Sequence, residues 1–530
     1  MDIIKAATKI QSLTRGHLAR KTIKQQNNAA TKIQGMVRGK LSRLKLDALK
    51  KQAYLCPIKQ GTIGFNDSTL TKCGHIFDRY SLSRWIDKET ETKSSVACPS
   101  CRRNIVSVNT KLLLFARDGN VEAIQDVVKQ GAIMKTSDSY GRTALHYAAH
   151  FGHAETVKAL IERGANLEAK NNDGDTALHV AAYNGYTETV KALIERGANL
   201  EAIANGGGTA LHVAALKGHT ETVKALIERG AKLEAKNNGG GTALHYAARL
   251  VHTETVKALI DLGAKLEAKD NSGGTALHVA AQLGRTETVE ALIDLGAKLE
   301  AKDNNGWTAL HIAAENGHTE TVKALIDLGA KLEAKDNDGH TALHIAAYSG
   351  RTETVNALIA AKAKLEATTK NKNTALHIAA QLGRTETVKA LIAAKANLEA
   401  KAIGGETALH FDALQGHPET VKALIDLGAN LEAKNNYGST ALHIAAEKGY
   451  SETVKALIER GAKLEVKNNN GDTALHIAAR NGQTETVRAL IAAKANLEAK
   501  DNDGNTALQI AIKYDHQYVA RVLKECGAKD

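Results

Sequence analysis

One interval governs this chain. The tetrad Thr-Ala-Leu-His recurs with its Thr at 143, 176, 209, 242, 275, 308, 341, 374, 407, 440 and 473, each step being 33 residues. Thr506-Ala-Leu-Gln continues the series, and Thr110-Lys111-Leu112-Leu113 fills the same slot one period earlier, giving thirteen units with degenerate ends. Within one unit Leu178, Ala181 and Ala182 follow helical spacing, as do Val190, Leu193 and Ile194. Gly185 and Gly197 stand where helices end and the backbone needs positive φ. Two short helices and a turn cannot bury their own apolar faces, so neighbouring units must stack. The 530 residues, which would otherwise suggest domains of about 150 residues each, are therefore mostly one array.

The period and tetrad resemble the ankyrin repeat over residues 109–530, with Ala where that family usually has Pro in Thr-Pro-Leu-His. The resemblance implies a mainly α solenoid of about thirteen units. Pro418 fits it, replacing a Thr at the start of a second helix, where a missing N–H costs little. The eleven tetrad histidines read as capping and turn-bracing groups, not ligands or bases. Asp412 stands where other units have Ala; an unpaired buried carboxylate is costly, so local strain is expected there.

Charge is unevenly placed. Residues 1–50 hold twelve Lys/Arg against two Asp/Glu and residues 51–108 hold nine against five, whereas the array holds 49 against 51. The formal charge of +12 thus belongs to the first fifth of the chain, and a basic nucleic-acid-binding array is excluded. No apolar run reaches the roughly 18 residues of a membrane span. The first residues lack the pattern of a signal peptide. Five cysteines in this length argue for a reducing compartment.

Residues 3–50 lack Pro and read as a long basic amphipathic helix. Ile10-Gln11, Arg15-Gly16 and Arg20 have the form I-Q-x3-R-G-x3-R, which Ile33-Gln34, Arg38-Gly39 and Arg43 repeat 23 residues later. An acidic, groove-forming partner would bury the apolar anchors while its carboxylates meet the arginines. The pattern is similar to tandem IQ motifs, which implies calmodulin or a calmodulin-like light chain as partner. The alternative is a solvated or membrane-lying basic helix.

Residues 51–108 contain four of the five cysteines. Cys73-x-His75 and Cys98-x2-Cys101 are two ligand pairs with zinc spacing, together a Cys3His set suited to one closed, structural zinc ion. The segment resembles the RING and U-box fold of ubiquitin ligases, a small α+β domain. Laid on the two-metal RING pattern, Cys73, His75, Cys98 and Cys101 complete the second site, while Cys56, Lys59, Asp78 and Ser81 occupy the lost first one. U-boxes replace metal by polar bonds, so metal-free folding is the competing possibility, and the single-zinc pattern is equally similar to SUMO ligases. The resemblance places Ile58, Trp85 and Pro99 against a ubiquitin-conjugating enzyme and gives Arg102 the family's linchpin role; catalysis would be by orientation of a charged conjugating enzyme. Each of these residues could instead serve the small core or solvent.

Outside the repeats there is no phosphate loop, nucleophile elbow or carboxylate dyad. Two functions remain. One is a ubiquitin-protein ligase whose array selects a protein substrate under calmodulin control; the other is an ankyrin scaffold linking calmodulin to a protein partner. Both place the chain in the cytoplasm of a eukaryotic cell, its own or a host's. On the ankyrin pattern the two residues after each Ala-Ala pair line the inner groove. Phe151, Tyr183, Leu216, Leu250, Leu283, Tyr348, Leu382 and Leu414 stand there, with Trp307 on an adjacent turn, and are the candidate partner-binding residues.

Overall fold

The computed structural model describes residues 68–70, 76–78 and 108–529. These fall in two units, Met1–Thr136 and Ser137–Asp530. The anticipated IQ helix over 3–50 lies outside the described residues. Of the 51–108 segment, a short antiparallel hairpin is described: β1 (Ser68–Leu70) pairs with β2 (Ile76–Asp78) in the register Ser68↔Asp78, Thr69↔Phe77 and Leu70↔Ile76.

The first unit ends in two helices, Val108–Arg117 and Val121–Lys129. Asn120 caps the second, its side-chain oxygen accepting the Ala123 N–H at 2.9 Å. Asn109 Oδ1 accepts the Ile133 N–H at 2.7 Å, holding the following turn.

The second unit is a stack of helix pairs. In each pair an inner helix, for example Ala177–Asn184, is followed by an outer helix of nine residues, here Thr187–Glu195. The inner helix opens on an extended Thr176 and closes on Gly185 at φ 73°. Leu178, Ala181 and Ala182 of the inner helix and Val190 and Leu193 of the outer helix are buried. Inner helices pack on inner helices of adjacent pairs and outer on outer, so each pair supplies the core its neighbour lacks. Small Ala-Ala pairs permit this close approach. Fully burying each Leu or Val contributes about 1.5–3 kcal/mol.

A finger-like turn joins successive pairs. Asn171 Oδ1 accepts the backbone N–H groups of Asp173 at 3.0 Å and Asp175 at 2.8 Å, and its own N–H donates to Asp175 O. This side-chain-closed turn is why Asn or Asp recurs at this position. Pro418 does open an outer helix, Pro418–Asp426.

Candidate partner-binding face

The repeated polar residues of the array are consumed by the array. Thr176 N–H donates to His179 Nδ1, which fixes that nitrogen as an acceptor, so Nε2 carries the proton and donates to Gly208 O at 3.1 Å. All eleven tetrad histidines make the same bridge to the carbonyl 29 residues on. Burial, the largest cause, lowers their pKa values, those of His344 and His410 to about 4. In the last unit Gln509 Oε1 takes the cap role, accepting the Thr506 N–H at 2.9 Å. These groups are braces between units, as their spacing implies.

Three further ladders run at the repeat interval. Glu168 Oε1 accepts the Asn199 N–H at 2.8 Å, and the same bond recurs down to Glu498 and Lys529. Asn205 Nδ2 donates to Asn172 O at 3.0 Å in a row of finger tips that Lys370 and Ile403 interrupt. Thr187 and Thr222 hydroxyls bond at 2.9 Å, the first rung of a threonine ladder along the outer helices. Thr189 and Thr453 are buried without a partner because the ladder position before each holds Ala154 and Pro418. The sequence signal for all three ladders was the strict 33-residue recurrence of these polar types.

Asp412 departs from expectation in one respect. It is fully buried on the inner helix Ala408–Gln415, but it is not unpaired: Oδ1 lies 3.1 Å from His417 Nδ1, while Oδ2 has no partner. Burial pushes its carboxyl up to about 7, with the His417 contact opposing that rise. The buried Asp472 is better matched, since Arg480 grips both its oxygens at 2.7 Å.

The candidate partner-binding residues do not form one exposed stripe. Phe151 and Tyr183 are exposed; Leu216, Leu250, Leu283, Tyr348, Leu382 and Leu414 are half-buried against their own stack. The Lys217 ammonium sits 4.2 Å above the Tyr183 ring, and Phe151 meets His150 edge-on at 4.9 Å. Trp307 is half-buried on its turn. Its indole N–H donates to Asp336 Oδ2 at 3.1 Å and its carbonyl accepts His278 Nε2, so it ties adjacent fingers together. Asp336 also faces His340; burial works to raise its pKa, but the His340 bond and charge with backbone N–H donors hold it well below the usual carboxylate range.

Several assigned residues lie outside the described residues: the zinc set Cys73, His75, Cys98 and Cys101, the conjugating-enzyme contacts Ile58, Trp85, Pro99 and Arg102, and the IQ positions Ile10, Gln11, Arg15, Gly16, Arg20, Ile33, Gln34, Arg38, Gly39 and Arg43. Among the described residues no cluster of three or more His, Cys, Asp or Glu could hold a metal ion. None of their helices is long and apolar enough to cross a membrane.

Comparison with known proteins adds identity to this geometry. The IQ calmodulin-binding motif matches residues 4–24 and 27–47. The chain is similar to the crystal structure of the human ASB11 ankyrin repeat domain, at 28% identity over 42% of this chain and 98% of that one, with a TM-score of 0.38. No curated protein matches. The family described as ankyrin repeats (3 copies) matches residues 112–204, 152–237, 200–270, 266–336, 296–369, 329–402, 376–468 and 461–530. The chain belongs to the ankyrin-repeat family.

Proposed function

We propose that this chain is an adaptor, binding calmodulin or a calmodulin-like light chain through its tandem IQ motifs and a protein partner through its ankyrin array. The observation that carries this reading is the presence on one chain of two IQ matches, 4–24 and 27–47, and an array matched from 112 to 530. The array's buried histidines serve as its own braces, which suits a rigid display surface. Both partner classes suggest a eukaryotic cytoplasm. Capture of the full chain on immobilised calmodulin, with and without calcium, tests the first half. Replacing Ile10, Gln11, Ile33 and Gln34 together with Ala should abolish capture; retention would mean that basic charge alone binds.

A second reading, a ubiquitin or SUMO ligase with this array as substrate receptor, is favoured by the residues of segment 51–108. Three thiols and an imidazole at Cys73, His75, Cys98 and Cys101 form a donor set that fits one structural zinc ion, whose role would be to hold the small domain folded. Ile58, Trp85 and Pro99 would then meet a conjugating enzyme, and Arg102 would hold its charged ubiquitin in an attack-ready pose. Autoubiquitination with a panel of conjugating enzymes tests it: Arg102→Ala should stop chain formation, and an inert wild-type protein leaves the adaptor alone. Metal analysis should find one zinc per chain.

A further inference from the structure

The thirteenth unit of the array breaks the pattern that lets units stack. Six residues after the Thr, all eleven tetrad units hold Ala, from Ala149 to Ala479, and each is fully buried in the stack. In the inner helix Ala507–Lys513 this place holds Ile512, which is 53% exposed. Its branched side chain fills the space that the inner helix of a neighbouring unit takes elsewhere. This face is therefore not shaped for a further unit in the same register.

The outer helix of the same unit, Gln517–Glu525, departs in a matching way. Where the tetrad units hold Glu twelve residues after the Thr, such as Glu485, it holds Tyr518, 57% exposed. Where they hold a buried Val, such as Val487, it holds the smaller Ala520. A groove of about 470 Å³ lies over Ala520, with Ile512, Gln517, Arg521 and Glu525 among its walls. Tyr518 stands at its rim, the Arg521 guanidinium 4.4 Å from the ring centroid. The outer face of a final unit is expected to be polar, yet here apolar side chains replace a small and a charged one. Scattered exposed apolar residues mean little, but exchanges that add apolar area around one groove mark an interaction site.

The charges around the groove decide what fits it. Earlier in the array, the acid nineteen residues after the Thr takes an arginine of the following unit: Glu162 meets Arg196 at 2.7 Å and Glu195 meets Arg229 at 3.1 Å. Glu525 holds this place in the thirteenth unit. Among the described residues Glu525 has no cation, and Arg521 no carboxylate, within ion-pair distance. Asp515 and Lys524 border the same groove, so acids and bases balance there, two of each. An apolar centre ringed by both signs is complementary to its own image across a two-fold axis.

We propose that this face is an isologous interface with a second copy of the chain. Ile512 and Tyr518 of each copy cover the groove of the other, and Arg521 of each meets Glu525 of the other. Such a contact closes on itself, so it yields a dimer and no filament. It is separate from whatever the inner face or the IQ motifs bind, and it doubles the number of both on one assembly.

The test is the mass of the full chain by size exclusion with light scattering, at loading concentrations from about 1 to 100 µM. Reducing buffer keeps the exposed Cys526 from joining copies covalently. A dimer is expected, and Tyr518→Glu, which copies the other units, should weaken it at least about tenfold with an unchanged melting temperature. Arg521→Glu and Glu525→Arg should each weaken it about tenfold, and the two together should restore it, because the exchange keeps opposite charges facing. Glu485→Tyr, the reverse exchange one unit earlier, should change nothing. A monomer throughout the range, a mass that keeps growing past the dimer, or a dimer that survives both Tyr518→Glu and Arg521→Glu overturns the assignment. None of these results touches calmodulin capture, on which the adaptor reading depends.

Discussion

Asp412 Oδ1 and His417 Nδ1 lie 3.1 Å apart, with the buried Asp412 Oδ2 left facing no partner. Burial raises this carboxyl to about 7, above its unfolded value, so the folded chain holds a proton that the unfolded chain releases. Any stability tied to that proton is present below the unfolded pKa of about 4 and is lost as pH rises toward 7. Asp412→Ala, the residue of the other units, should therefore stabilise the array by about 2 kcal/mol at pH 8 and by less at pH 5. Denaturant melts at the two pH values check this; equal or reduced stability of the variant at pH 8 contradicts it.

The tetrad histidines give the opposite dependence. Burial lowers their folded pKa values below the ordinary 6.5, to about 4 for His344 and His410, so acid protonates the unfolded chain first. Their neutral form must be kept because Nδ1 accepts a Thr N–H. Stability should be full above about pH 6.5 and fall by about 1.4 kcal/mol per pH unit for each histidine within a cooperative unit as pH drops toward 4. Melting temperatures followed by circular dichroism from pH 7.5 to 4.5 check this. His344→Gln, copying Gln509, should flatten the dependence; a profile that is flat in the wild type would contradict the bracing role.

Three outer helices end on lysine instead of glycine. Lys362, Lys395 and Lys494 have φ of 67°, 71° and 68°, where Gly164, Gly197 and Gly296 stand in other units. A Cβ meets nothing within 4 Å at those glycines, so the cost is in the backbone dihedral alone. Lys→Gly at each should stabilise by about 0.5–1 kcal/mol, with near-additive effects because each acts through its own backbone dihedral. A triple variant with an unchanged or lower melting temperature would contradict this.

The orphaned Thr189 hydroxyl offers a gain rather than a loss. Ala154→Thr supplies the missing rung, as Thr187 does for Thr222, and should add about 0.5–1 kcal/mol. The double variant Ala154→Thr with Thr189→Val should lose that increment, which a thermal melt resolves.

The array was legible because every unit must present the same two faces to identical neighbours, so Leu178, Ala181 and their counterparts could not drift. The Thr–His cap was legible because it spans three residues. Contacts between units were not: Trp307 meets Asp336 across 29 residues, and a single turn position read alone looks free. Half-burial of Leu283 or Tyr348 likewise depends on the neighbouring helix. Asp412 found His417 five residues on, across a turn that its own helix pattern does not describe.

The central claim is that one chain joins calmodulin to a partner of its array. Size-exclusion chromatography with light scattering, on the full chain mixed with excess calmodulin, measures the first of these contacts. One species carrying two calmodulins per chain is expected, one for each IQ match. A chain that elutes free of calmodulin in both calcium and chelator would overturn the adaptor reading.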